Sequence, residues 1–145
     1  MLGGGRPRLR HTRAMTWLAR CWTLPNTLLG LAAGALMLAG GARVQRVDGV
    51  IEFHGGQVGR WANRLPAALR FDAITLGHVI LGRSARALAV SRAHEHVHVR
   101  QYERWGPAFV PAYLLASAWQ GLRGRHAYRD NPFEREAYGR CPHRR

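Results

Sequence analysis

The hydrophobic pattern of the chain begins with one long apolar stretch, CWTLPNTLLGLAAGALMLAGGA, from residue 21 to residue 42. The stretch carries no charge and is as long as a helix that crosses a membrane. Pro25, Asn26 and several glycines lower its hydrophobicity. Three interpretations stay open: a membrane anchor with its basic tail in the cytoplasm, a helix buried in or lying against the domain, and a signal peptide cleaved near residues 40–42.

Alternating apolar and polar positions follow in RVQRVDGVIEFHGG, residues 43–56. The alternation predicts short strands that turn at Asp48-Gly49, a pair typical of tight hairpins. The stretch ITLGHVILG, residues 74–82, predicts a second pair of strands around Gly77-His78. We expect the segment WANRLPAALRF, residues 61–71, to be irregular or briefly helical.

A helical pattern then begins in SARALAVSRAHEHVHVRQYERW, residues 84–105. Ser84 is placed to cap this helix, and the Gly106-Pro107 pair is placed to end it. The last pattern is RDNPFEREAYG, residues 129–139, which predicts a second capped helix. Asn131 suits its N-cap and Gly139 suits its C-cap.

Composition changes the expected partners of this fold. Among the 145 residues are 22 arginines, no lysine and 8 acidic residues, which give a net charge of +14. Such a charge favours an anionic membrane surface or nucleic acid, but no nucleic-acid-binding motif is present. We predict a flexible basic tail over residues 1–20, the apolar segment 21–42, and one small α+β domain over residues 43–145.

The candidate chemistry lies in the first predicted helix, where HEHVH matches the pattern H-E-x-x-H. Residues four apart share a helix face, so His94 and His98 can bind one Zn²⁺. Glu95 lies beside them, where a carboxylate can act as a general base towards a zinc-activated water. His96 points away from both and is expected to be a bystander.

A catalytic zinc site needs a third protein ligand. Gln101 and Arg104 stand where the metzincin pattern requires Gly and His, so that pattern is excluded. Glu134 and Glu136, on the second predicted helix, are the downstream glutamates that remain. Glu134 also stands three residues after Asn131, where a capping box places its glutamate, so the choice stays open at this point.

H-E-x-x-H followed by a helix with E-x-x-A resembles the gluzincin metallopeptidases, which include membrane-linked members. The resemblance covers roughly residues 73–138 and implies a small zincin-like domain. It implies that His94, His98 and Glu134 bind zinc, that Glu95 is the general base, and that Ala137 matches the alanine of the pattern. It also implies that ITLGHVILG is an edge strand element that pairs with an extended substrate. Tyr138 departs from the family pattern, which has at this position an Asp that orients a histidine.

These residues predict a zinc-dependent hydrolase, most simply a peptidase, that acts on a peptide or protein substrate. His78, Tyr128 or Tyr138 would stabilise the oxyanion. The alternatives are a zinc-stabilised scaffold without activity and a basic protein that binds membranes or nucleic acid.

The two uncharged segments cannot both cross a membrane if this site forms, because His94 and Glu134 would then lie on opposite sides. We therefore expect residues 105–122 to form a helix packed under the site or lying on the membrane surface, and any attachment to use a single N-terminal span.

Overall fold

A computed structural model describes residues 13–66 and 71–141 and shows an α+β fold. The elements run in the order α1 (Arg13–Ala39), β1 (Ala42–Val47), β2 (Val50–Gly55), α2 (Gly56–Arg64), β3 (Ala73–Leu76), β4 (Val79–Gly82), α3 (Ala85–Trp105), α4 (Phe109–Leu122) and α5 (Pro132–Arg140). A single turn of 3₁₀ helix, Gly106–Ala108, joins α3 to α4.

Both predicted hairpins form, and both turn where the sequence indicated. Asp48 and Gly49 adopt positive φ angles of 49° and 83° between β1 and β2, and Gly77 has a φ of 61° between β3 and β4. Within the described residues the strands form one sheet in the order β1-β2-β4-β3. Both hairpins are antiparallel, but the sheet as a whole is mixed, because β2 and β4 pair in parallel. The two hairpins meet through their second strands, which enter the sheet from the same end.

The sheet lies between α1 and α3. Side chains on one face of the sheet join α3 in a core of Val50, Ile80, Leu88 and Val99. Side chains on the other face join α1 in a core of Met37, Phe53 and Val79. Successive strand residues point to opposite faces, so neighbours such as Val79 and Ile80 serve different cores. Helix α5 packs against α3, and α4 lies beside both at the site described below.

Helix α1 begins at Arg13, so residues 13–20 of the predicted tail are helical, and residues 1–12 lie outside the described part of the chain. The segment RAMTWLAR is rich in good helix formers and runs into the apolar stretch without a break. Among the described residues, one helical stretch, Arg20–Ala39, is long and apolar enough to cross a membrane by length and composition.

Two other boundaries differ from expectation. Helix α2 begins at Gly56, earlier than the predicted irregular connection, and residues 67–70 of that connection are outside the described ranges. Gly139 is not a C-cap: α5 continues to Arg140, and Cys141 follows it. Helix α4 has 14 residues, fewer than the roughly 20 that a membrane span needs.

Candidate metal centre

Helix α3 places the two predicted histidine ligands side by side. Ser84 caps its start by accepting a hydrogen bond from the Ala87 N–H at 3.1 Å, as predicted. The helix is then regular over 21 residues, so His94 and His98 lie on one face. Their Nε2 atoms are 3.0 Å apart, and both side chains are buried.

Helix α5 brings Glu134 to the same point. Its Oε2 lies 3.1 Å from His94 Nε2, and its Oε1 lies 3.3 Å from His98 Nε2. The capping box does not form, because the Asn131 N–H donates to the Tyr128 carbonyl and the Asn131 side chain caps the Phe133 N–H. Glu134 is thus turned towards the histidines.

Glu136 occupies a different face of α5. Its carboxylate accepts hydrogen bonds from Gln101 Nε2 at 2.8 Å and from Arg104, and it pairs with Arg140. Of the two glutamates left open by the sequence, the structure therefore brings Glu134 to the histidines.

The three side chains fit a divalent metal ion. Ligand atoms about 2.0–2.1 Å from a tetrahedral zinc ion lie about 3.3 Å from one another, which is close to the 3.0–3.3 Å spacing found here. Glu134 Oε2 is buried and makes no hydrogen bond among the described residues. Two imidazoles and one carboxylate are a donor set that zinc accepts in catalytic sites. The buried His94, His98 and Glu134 group could hold a metal ion.

Gln101 orients one of the ligands. Its side-chain N–H groups donate to the Phe133 carbonyl and to Glu136, so its Oε1 is the acceptor of the 2.8 Å hydrogen bond from His98 Nδ1. The Nδ1 proton leaves the lone pair of Nε2 directed at the centre. From the sequence, Gln101 served only to exclude the metzincin pattern. In the structure it joins α3 to α5 through these hydrogen bonds.

The environment of His94 differs from that of His98. It contains Tyr138, which stands where the gluzincin pattern has an Asp. The Tyr138 ring packs on the His94 ring with centroids 4.6 Å apart. His94 Nδ1 is buried and has no hydrogen-bond partner among the described residues. An aromatic contact therefore stands where the family pattern would place a carboxylate.

Tyr113 is a site residue that no pattern in the sequence marks. It projects from α4, and its hydroxyl donates to Glu134 Oε1 at 2.7 Å. Burial raises the pKa of Tyr113, and the neighbouring Glu134 carboxylate raises it further. Burial by itself would raise the pKa of Glu134, but the ring nitrogens of His94 and His98 next to its carboxylate outweigh it and hold that pKa below its ordinary value.

Glu95 is buried next to the three candidate ligands and is held by the edge strand. Its Oε2 accepts a 2.7 Å hydrogen bond from the Thr75 hydroxyl on β3. Burial raises the pKa of Glu95, against the opposing effects of Thr75, His98 and His94. Thr75 is a second residue that motif reasoning missed, because it lies 20 positions before Glu95 on another element.

A cleft of about 710 Å³ opens onto this group. Strand β3, the edge of the sheet, forms one wall, and α3, α4 and the region of α5 form the others. The walls are mainly apolar and aromatic; they include Ile74, Leu76, Tyr102, Phe109, Tyr113 and Tyr128. A volume between about 300 and 1,000 Å³ is usual for a binding site.

Of the three residues proposed for the oxyanion, Tyr128 and Tyr138 line this cleft, and His78 does not. The ring nitrogens of His78 lie 3.0 Å from Thr23 Oγ1 and 3.0 Å from Glu103 Oε1, at the turn between β3 and β4. The oxyanion role predicted for His78 is therefore wrong: this side chain joins α1 to α3.

His96 lies away from the cleft, as expected of a bystander. Its Nε2 is 3.9 Å from Glu52 Oε1, on the part of α3 that covers the sheet. Burial lowers the pKa of His96, against the raising effect of Glu52.

No protein-family model, curated protein or solved structure matches this chain. The resemblance to gluzincins stays a prediction from short motifs, and any function has to be argued from the geometry of the site.

Proposed function

We propose that the chain is a zinc-dependent hydrolase that cleaves peptide bonds. The observation that carries this proposal is the convergence of His94, His98 and Glu134 at the base of an open cleft, with Glu95 beside them. A structural zinc site is usually closed by four protein ligands, whereas a catalytic site keeps a position open. Three protein ligands beside a cleft fit the second class.

The proposed reaction uses the chain's own carboxylate to move one proton. Zinc, when bound, would supply Lewis-acid polarisation of the scissile carbonyl and a more acidic water. Glu95 accepts a proton from the attacking water as its oxygen bonds to the carbonyl carbon, and returns that proton to the amide nitrogen as the C–N bond breaks. The Thr75 hydroxyl holds Oε2 of Glu95, and the Glu95 side chain lines the cleft.

The edge strand supports an extended peptide as substrate. In the β3–β4 pair, the two-residue turn makes Leu76 and Ile74 the residues that bond to β4. The backbone groups of Ala73 and Thr75 then point away from β4, towards the unpaired edge, where a peptide can add as a strand. Both residues line the cleft.

Metal analysis combined with peptidase assays tests the proposal. We expect wild type to bind about one zinc per chain, His98→Ala to lose it, and Glu95→Gln to keep it while losing cleavage of a mixed peptide library. His96→Ala is the matched control, because His96 is on the same helix and contacts Glu52 instead.

Two results would overturn the proposal. Equal, substoichiometric zinc in wild type and His98→Ala would remove the metal site. Stoichiometric zinc with no cleavage above that of Glu95→Gln would leave the zinc-stabilised scaffold as the better description.

A further inference from the structure

The long helix α1 has its polarity reversed relative to a helix of a water-soluble domain. Its buried positions are polar or small, with one methionine; they are Thr23, Asn26, Gly30, Gly34 and Met37. Its exposed positions between residues 21 and 39 are all apolar or uncharged; they are Cys21, Trp22, Leu24, Pro25, Leu28, Leu29, Ala32, Ala35, Leu36, Leu38 and Ala39. Leu29 is 62% exposed and Leu36 is 75% exposed. An amphipathic helix in water buries the opposite face.

The polar face of α1 is firmly docked on the domain. Thr23 Oγ1 lies 3.0 Å from the His78 ring, Thr27 Oγ1 accepts from the His78 N–H at 3.1 Å, and Asn26 donates to the Gly106 carbonyl. A Cβ added at Gly30 would lie 2.7 Å from the Val79 side chain. The close approach and the hydrogen bonds make α1 part of the described fold.

This docking restricts the orientation in which α1 can bind a membrane. The helix contacts all four strands and α2, so a spanning α1 would take the sheet into the hydrocarbon with it. Exposed arginines lie on these elements; they are Arg43, Arg46, Arg60 and Arg64. Arginine is among the most costly residues to place at the centre of a bilayer. A helix lying flat in the interface keeps these side chains in water or among headgroups.

The basic residues near α1 suit an anionic surface. Arg20 is exposed at the start of the uncharged stretch. Arg46 pairs in register with Ile51, which packs against the core on the α1 side, so Arg46 is on the same face of the sheet as α1. Trp17 and Trp22, both more than half exposed, lie at the same end of the helix, and tryptophan favours the membrane–water interface.

We propose that α1 is an in-plane membrane helix. Its leucine-rich exposed face inserts into one leaflet of an anionic bilayer, and the rest of the domain packs on its polar face. The proposal does not depend on catalysis. It places α3 and the cleft on the far side of the sheet, open to water, and it replaces the single N-terminal span as the mode of attachment.

Vesicle binding tests the surface. We expect the full chain to float with vesicles of phosphatidylglycerol and phosphatidylcholine and to bind phosphatidylcholine alone more weakly. Leu28→Gln/Leu36→Gln should reduce partitioning on the order of 10- to 100-fold, because two side chains leave the apolar face. Val90→Gln is the matched control, since Val90 is 68% exposed on α3, across the sheet from α1. Circular dichroism confirms that each variant is folded.

Depth measurement separates a flat helix from a spanning one. A spin label on Cys21 in Cys141→Ser, and one at position 32 in Cys21→Ser/Ala32→Cys/Cys141→Ser, report two exposed sites on one face. A flat helix gives equal depths, whereas a spanning helix separates them by about 16 Å at 1.5 Å per residue. Unequal depths would overturn the proposal. So would a stable dimer that ignores vesicles and dissociates on Leu28→Gln/Leu36→Gln, since a second copy would then cover the face.

Discussion

Gln101 shows how much of the candidate metal centre depends on residues outside the motif. It is fully buried and fixes the His98 ring through a 2.8 Å hydrogen bond. Gln101→Leu keeps the volume and removes the hydrogen bonds, so we expect zinc affinity to fall on the order of 10- to 100-fold. Competition with a fluorescent chelator measures it. Gln120→Leu, at a buried glutamine on α4 away from the cleft, is the control and should change affinity less than about twofold. An equal loss in both variants would contradict the orienting role.

Thr75 gives a second prediction at the residue scale, conditional on the proposed activity. We expect Thr75→Val to retain zinc and to lower kcat about tenfold, because Glu95 loses the hydroxyl that positions its carboxylate. Thr75→Ser restores a hydroxyl and should recover most of the rate with little change in KM. If the serine variant is as slow as the valine variant, the packing of β3 and not the hydrogen bond controls the rate.

Residue spacing predicted the part of this site that lies within one helix. His94 and His98 are a local pattern, and their convergence follows from the helical repeat. The choice of Glu134 over Glu136 is not local, because it depends on which face of α5 packs against α3. Tyr113 and Thr75 are even harder to predict from the sequence, because a single hydroxyl on a distant element follows no spacing pattern.

At the scale of elements, the tightest packing is between α1 and the sheet. A Cβ at Gly34 would collide with the buried Phe53 ring, so Gly34→Ala should lower the free energy of unfolding by about 1–3 kcal/mol. Gly121, inside α4, has nothing within 4 Å of an added Cβ. Gly121→Ala should therefore raise the free energy of unfolding by about 0.5–1 kcal/mol. Urea denaturation in one mild detergent compares them, and destabilisation of both by the same amount would contradict the packing argument.

The Glu103–His78 contact, which supports the docking of α1, should be sensitive to pH. The hydrogen bond from His78 lowers the pKa of Glu103 below its ordinary value of 4.5. A depressed folded pKa contributes stability above the unfolded value, and this contribution is lost as pH falls through the folded value. Glu103→Gln should therefore lower stability by about 0.5–1 kcal/mol near neutral pH, because the group is partly exposed. Denaturation at several pH values should show the difference vanishing in acid; a constant difference would exclude the ionised Glu103 carboxylate as its cause.

The positions of helices and strands were predictable wherever the sequence contains a recognisable turn or cap. The pairs Asp48-Gly49 and Gly77-His78 located both hairpins, and Ser84 and Asn131 located the starts of α3 and α5. The parallel junction of β2 with β4 was not predictable, since it joins strands about 30 residues apart without a local signal. The buried face of α1 was not predictable either, because most leucines of this helix face away from the core and Leu31 alone packs against it among the described side chains.

At the scale of the whole molecule, a metal ion bound by His94, His98 and Glu134 would fasten α3 to α5 and stabilise the fold by linkage. Zinc that binds only the folded chain adds about 2.7 kcal/mol when its free concentration is 100 times Kd. We expect chelation to lower the Tm of wild type by several degrees and added zinc to restore it. His98→Ala should melt near the apo value with or without zinc, while His96→Ala should respond as wild type does. Differential scanning calorimetry at fixed protein and detergent concentration measures all three. A zinc response that persists in His98→Ala would place the stabilising metal elsewhere, and no response in any form would show that these three side chains converge without a metal.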